Sequence, residues 1–326
     1  MNNKVKKVLV TGGSGLLGGR VSESLLNTGF QVRLGTREPL GSLFYPFGVE
    51  VVAMEWENED QLLNVCHDVD VIVNAMGMNA ADCAADPISA IKVNGEYTAK
   101  LVHAAFETGV KRFVHLSTAH VYGSPLVGAI SESTHPSNLH PYATSHRCGE
   151  DAVLWADHKG DLEGVILRLS NAYGRPINPS VSCWMLLVND LCRQAVEKKR
   201  LVLQSDGVQY RDFIPIHKVC DLIVHICNID NIAKIKANSE APPIFNVGSG
   251  CSITVSEMAK LIQIRTEKTL GYEVDLVYPQ SQSKNFGQEL RYTSERLSLT
   301  SSHCDSDSFS EIDELLLFCR EQFSNE

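Results

Sequence analysis

A strand, a glycine turn and a helix follow one another without interruption near the start of this chain. Lys7-Val8-Leu9-Val10-Thr11 has the continuous apolar character of a strand buried on both faces. Gly12-Gly13-Ser14-Gly15-Leu16-Leu17-Gly18 comes next, and a helical stripe through Leu16, Leu17, Val21, Leu25 and Leu26 stops at Gly29. Further strand patterns lie at residues 31–34, 49–52, 69–74, 112–117 and 164–169, with a long helix over residues 85–108 that closes at Gly109. Alternation of this kind builds a parallel sheet covered by helices on both faces. The expected fold is therefore α/β, a Rossmann-type doubly wound parallel sheet.

The glycines carry chemistry as well as geometry. Gly12 permits the tight turn, Gly15 lets the backbone approach a pyrophosphate, and Gly18 allows the helix to pack closely on its strand. The first helical residues, Leu16 and Leu17, then offer amide donors at the positive end of the helix dipole. Residues 1–175 are read on this basis as an NAD(P)-binding domain. A carboxylate at the end of the second strand would select NAD, but Thr36 and Arg37 stand there. Arg37, helped by Arg33, suits a 2′-phosphate, so NADP(H) is favoured and NAD(H) is the alternative.

From about residue 176 the pattern loosens. A helix is expected over residues 181–198, short strands at 200–203, 211–215 and 245–248, and a final helix over residues 310–323 after a surface loop at residues 301–308. That final helix gathers Ile312, Leu315, Leu316 and Cys319 on one face. Residues 176–326 thus form a smaller C-terminal α/β substrate lobe, with chain segments free to cross between the two parts.

Composition removes other function classes. A formal net charge of -10 opposes binding to nucleic acid or to an anionic membrane surface. No apolar run approaches the roughly 20 residues of a membrane helix, and Val8-Leu9-Val10 is too short for a signal peptide. The 10 cysteines contain no CxxC pair and the 11 histidines no metal-ligand spacing. The cysteines read as small buried hydrophobes in a reducing compartment. A cytoplasmic protein without metal is expected.

Two later segments complete the pattern: Ser117-Thr118-Ala119-His120-Val121-Tyr122-Gly123 and Pro141-Tyr142-Ala143-Thr144-Ser145-His146. Asn74-Ala75-Met76-Gly77, Asn94, Asn171-Ala172-Tyr173-Gly174, Arg211-Asp212-Phe213-Ile214 and Phe245-Asn246-Val247-Gly248-Ser249-Gly250 stand before and after them. In order and spacing these strings resemble the extended short-chain dehydrogenase/reductase family, in its branch of nucleotide-sugar epimerases, dehydratases and reductases. The resemblance spans almost the whole chain. It implies a proton-shuttling Tyr142 with Thr118 as its hydroxyl partner, since a phenol can protonate the oxygen of a ketone as hydride arrives. It also implies Asn74 and Ala75 beside the cofactor, and Asn171, Arg211 and Arg291 on a nucleotide-diphosphate sugar. Many relatives pair through two helices, which implies a homodimer.

One position departs from the family. The usual Lys one helical turn after the Tyr is His146 here, a group that can bond a ribose hydroxyl but is mostly neutral near pH 7. Arg147 points about 100° away around a helix and is a poor substitute. Where the family's dehydratases carry an acidic pair, and its decarboxylases a Glu, this chain has Ala119 and His120. Both reactions are therefore disfavoured. His120 falls where GDP-fucose synthase-like enzymes place an acid/base Cys, so it is a candidate for proton transfer or a histidine packed beside the cofactor. His217 and Asp221 read as structural; Trp184, Tyr210 and Phe213 either stack on a base or fill the core of the smaller lobe, with core filling favoured. The leading expectation is an NADPH-dependent reductase of a 4-keto nucleotide sugar. A 4-epimerase holding NAD(H), and a catalytically silent dinucleotide-binding protein, are the alternatives.

Overall fold

The computed structural model describes residues 5–37, 45, 48–160, 162–230, 232, 241–279, 287–297 and 306–324. Its strands are β1 (Lys7–Thr11), β2 (Gln31–Thr36), β3 (Glu50–Ala53), β4 (Val71–Asn74), β5 (Arg112–Thr118), β6 (Gly128–Ile130), β7 (Glu163–Leu169), β8 (Asn171–Tyr173), β9 (Arg200–Val202), β10 (Tyr210–Pro215), β11 (Ile244–Val247), β12 (Ser252–Thr254), β13 (Asp275–Val277) and β14 (Leu290–Tyr292). The helices are α1 (Leu16–Asn27), α2 (Glu59–Cys66), α3 (Ala80–Ala85), α4 (Pro87–Ala90), α5 (Tyr97–Glu107), α6 (Pro141–Lys159), α7 (Leu187–Glu197), α8 (Ile216–Asn228), α9 (Val255–Leu270) and α10 (Ser306–Phe323).

Seven strands form one parallel sheet in the order β11-β7-β5-β4-β1-β2-β3. The expected α/β, doubly wound architecture is what the chain adopts. Every residue of β4 and of β5 is buried, as strands covered on both faces must be. One face packs on α1 and α8 through Val21, Leu25, Val219 and Ile223; the other packs on α2, α5 and α6 through Leu62, Leu101 and Val153. Strand order reverses beside β1, so the crevice outside Thr11, Asn74 and Thr118 is where such a sheet accepts a ligand.

The smaller lobe rests on α7, α9 and α10, whose Leu191, Cys192, Ile262, Leu315 and Leu316 share a buried core. A short sheet, β12-β10-β8, joins it to the main sheet. β11 arrives from beyond that lobe and pairs with β7, so the edge of the large sheet is built from late sequence. Among the described residues no helix is long and apolar enough to cross a membrane.

Three element boundaries differ from the sequence expectation. The single helix at residues 85–108 is α4, a π-helical stretch Ile91–Glu96 and α5 in succession. Asp86 ends α3 and caps α4, where Pro87 occupies the first turn. The helix expected from residue 181 begins at Leu187, its apolar forerunners forming turns instead. The last helix starts at Ser306 and takes in the end of the expected loop, whose residues 301–305 lie outside the described residues.

Candidate active site

The glycine turn has the stereochemistry its residues require. Gly12 has φ +67°, and a Cβ there would lie 2.6 Å from the Ala75 carbonyl oxygen. A Cβ on Gly18 would lie 2.3 Å from the Gly12 carbonyl oxygen, so α1 can approach its strand only because both are glycine. Gly15 differs. Its nearest neighbour would be the same oxygen at 3.1 Å, with no side chain across from it, which leaves the outer face of the turn open. No side chain caps α1 and no acid stands in its first turn. The amides of Leu16, Leu17 and Gly18 are thus unopposed donors at a helix N-terminus, and this cradle fits a dinucleotide diphosphate.

Thr36 is buried at the end of β2, and Arg37 is exposed in the bend that follows. Arg33 is engaged elsewhere. Its guanidinium meets Glu50 at 2.9 Å and donates to the carbonyls of Val65 and His67 at 2.7 and 3.0 Å, so it does not join Arg37. Asn74 is fully buried at the end of β4, and Ala75 is half-buried just beyond it.

The carboxyl end of β5 delivers Thr118, whose hydroxyl accepts the His120 amide at 3.1 Å and caps a single 3-10 turn. α6 starts opposite. His140 accepts the Tyr142 amide at 3.1 Å and Pro141 opens the helix, which fixes Tyr142 in the first turn facing β5. Burial pushes the Tyr142 phenol pKa up, and the Thr118 hydroxyl beside it opposes the rise. One turn later the His146 ring meets the Tyr142 ring edge-on, centroids 4.6 Å apart. Burial, with His115 acting in the same direction, pulls the His146 pKa down to about 3. The structure therefore sets a neutral imidazole beside the phenol.

Sequence reasoning passed over His115. It is buried on β5, with ring centroid 6.3 Å from that of His146 and pKa lowered by burial to about 4. All seven residues of β5 are buried, so no alternation marks which of them faces the cleft. Asn94 in the π-helical stretch was visible only as part of a motif. It accepts the Met78 amide at 2.8 Å and donates to the Ser145 hydroxyl at 2.9 Å, tying the loop after β4 to α6.

Beyond the 3-10 turn lies a cavity of about 240 Å³ lined in part by His120, Asn171, Gln209, Tyr210, Arg211 and Leu290. The Asn171 amide is oriented by donating to the Asp212 carbonyl at 2.9 Å. Burial lowers the pKa of His120, reinforced by the charges of Arg211 and His140 and opposed by the Gly123 carbonyl. Arg291 is exposed on β14 and does not line this cavity, whereas its neighbour Leu290 does. Tyr210 lines the cavity too, while Phe213 is buried in the core of the smaller lobe and Trp184 packs on Phe323. His217 is held by Glu311 at 2.7 Å, away from the cavity. Among the described residues no cluster of His, Cys, Asp and Glu could hold a metal ion.

A glycine turn that fits a diphosphate and a Tyr/Thr pair at the carboxyl edge of a doubly wound sheet define a dehydrogenase-type, dinucleotide-dependent enzyme. Residues 8–248 match one family across this whole arrangement, and the chain belongs to it: the NAD dependent epimerase/dehydratase family. Among characterised relatives, the chain is 28% identical over 268 residues to dTDP-6-deoxy-L-talose 4-dehydrogenase (NAD(P)(+)) of Kitasatospora kifunensis, covering 78% of each. It is 24% identical over 279 residues to dTDP-D-glucose 4,6-dehydratase of Mus musculus, covering 80% of this chain and 74% of that one. The fold is that of UDP-glucuronic acid 4-epimerase from Bacillus cereus, solved with UDP-glucuronic acid and NAD: TM-score 0.75, 21% identity, 97% of this chain and 99% of that one.

Proposed function

We propose that this protein reduces a 4-keto nucleotide sugar with NADPH, Tyr142 donating the proton. The observation that carries this reading is the phenol's setting: half-buried, beside the Thr118 hydroxyl, and flanked by a neutral imidazole rather than a cation. Nothing in that setting lowers the pKa as a neighbouring ammonium would. A phenol kept protonated is prepared to give a proton to a sugar oxygen, and poorly prepared to remove one from an alcohol. A bound nicotinamide would supply the hydride. Leu16, Leu17 and Gly18 would hold its diphosphate, and the exposed Arg37, with no carboxylate beside it at Thr36, favours a 2′-phosphate. His120, Asn171 and Arg211 would receive the sugar and its diphosphate in the adjoining cavity.

The test is oxidation of NADPH followed spectroscopically with 4-keto UDP- and dTDP-sugars, alongside a thermal-shift screen of both cofactors. Turnover with NADPH, lost in Tyr142→Phe with the melting temperature retained, is the expected result. Release of tightly held NAD(H) from denatured protein, with interconversion of 4-hydroxyl epimers, would replace this reading by the epimerase.

A further inference from the structure

Two buried nitrogen atoms near the phenol, Nδ1 of His146 and Nε2 of His115, have no hydrogen-bond partner within the protein. The two residues are only 5% and 1% exposed, and a buried polar atom left unpaired loses the hydrogen bonds it would make in water. Their ring centroids lie 6.3 Å apart, with the ring planes tilted by 40°. That is too far for a direct bond and suited to one water making two bonds of about 2.8 Å.

The proton positions follow from the neighbours. Thr98 gives its hydroxyl proton to the Asn94 carbonyl at 2.8 Å, so its oxygen must accept from Asn74 Nδ2 at 3.1 Å. The other end of that amide, Oδ1, accepts from the Thr11 hydroxyl at 2.6 Å. Asn74 Nδ2 therefore also donates to His115 Nδ1, at 3.2 Å, and the proton of neutral His115 must sit on Nε2. A water that accepts from Nε2–H of His115 has a proton to give to Nδ1 of His146. The remaining nitrogen of His146, Nε2, lies on the side of Gly77, an exposed residue of the loop after β4; a Cβ built there would be 3.8 Å from it.

We infer that His115, through one shared ordered water, holds His146 as its Nε2–H tautomer, so that His146 donates toward the cofactor side of the cleft. His115 is then a positioning residue. A directed chain runs from Thr11 through Asn74 and His115 to His146, and it supplies with an uncharged donor the hydrogen bond to a ribose hydroxyl that an ammonium could make. The inference rests on the proposed cofactor site, but its first test does not need cofactor.

Long-range proton–nitrogen NMR on protein labelled at histidine distinguishes the two ring nitrogens. The expected spectrum of the cofactor-free protein has His115 and His146 both protonated at Nε2 only; a His146 protonated at Nδ1 overturns the inference. In His115→Phe, His146 should become a mixture of tautomers, and NADPH should bind roughly fivefold to tenfold more weakly. His115→Gln, which keeps a donor where Nε2 was, should restore both. If His115→Phe does not fold, the comparison of His115→Gln with wild type carries the test: a changed tautomer or loss of affinity there refutes the shared water. Correct tautomers in a protein that reduces no 4-keto sugar would sink the proposed reaction and leave this arrangement standing.

Discussion

At the residue scale the decisive exchange is an imidazole where an ammonium is usual. His146 and its neutrality near pH 7 were legible in the sequence, but the depth of its pKa depression was not, because that depends on burial and on a second histidine that no spacing announces. Its folded pKa near 3 lies below the ordinary 6.5, and that of His115 near 4 does likewise. The unfolded chain therefore binds more protons than the native one between those values, and stability is lost as pH falls from about 6.5 toward 4. His146→Gln should flatten that acid limb, which urea midpoints at neutral and mildly acidic pH will show; an unchanged slope would contradict a neutral buried His146. His146→Lys tests the phenol itself. A cation beside the phenol favours phenolate, so the basic limb of ketone reduction should move to lower pH and alcohol oxidation should gain relative to reduction. Melting temperature should fall as well, since the ammonium enters a nearly water-free position. Identical pH–rate profiles for variant and wild type would remove the electrostatic argument.

Elements were legible where their periodicity is strong and illegible where a local contact overrides it. The glycine turn and β1 lie where the sequence puts them, because Gly12, Gly15 and Gly18 satisfy three separate steric demands at fixed spacing. The long helix at residues 85–108 failed at Pro87 and again at Asn94, whose side chain bonds α6 and the loop after β4 instead of solvent. No apolar stripe records such a commitment. Two glycines at opposite ends of α1 make the contrast measurable. Gly29 has φ +89° with nothing within 4 Å of a Cβ, so Gly29→Ala meets only backbone strain of roughly 1–2 kcal/mol. Gly18→Ala drives a methyl to 2.3 Å from backbone oxygen, which forces α1 off its strand and disturbs the amides that would grip phosphate. It should lose about 2 kcal/mol or more by urea unfolding and most of its dinucleotide affinity by calorimetry. Comparable dinucleotide affinity in the two variants would show that the turn does not bind through its backbone.

Across the whole molecule a buried polar network joins parts that hydrophobic patterning treats separately. Arg168 on β7 grips Glu150 of α6 with two bonds, at 2.9 and 2.6 Å, and donates to the Tyr122 hydroxyl at 2.9 Å. The Tyr122 hydroxyl donates to the side-chain oxygen of Asn246 on β11 at 2.8 Å, and the backbone amide of Asn246 donates to Glu132 at 2.9 Å. Ser117, beside Thr118, also bonds Glu150, and the Arg168 carbonyl accepts Tyr292 from β14 at 2.7 Å. Strands from the middle and last thirds of the chain thus meet one ion pair just behind the Tyr/Thr site. The motif strings containing Ser117, Tyr122 and Asn246 could be read from sequence, but their convergence on Arg168 and Glu150 could not, since it depends on β11 returning to the sheet edge. Both charges are nearly inaccessible to water, at 4% and 2% exposure, so removing one strands the other. Arg168→Met should therefore cost about 3–5 kcal/mol in urea unfolding, whereas Arg168→Met with Glu150→Leu should recover much of it by leaving no unpaired charge. Turnover in the double variant should still fall, because Tyr122 and Ser117 lose the partners that fix the segment carrying Thr118 and His120. A double variant as unstable as Arg168→Met would mean that the pair's worth lies in its bonds to Tyr122 and Ser117, not in mutual neutralisation.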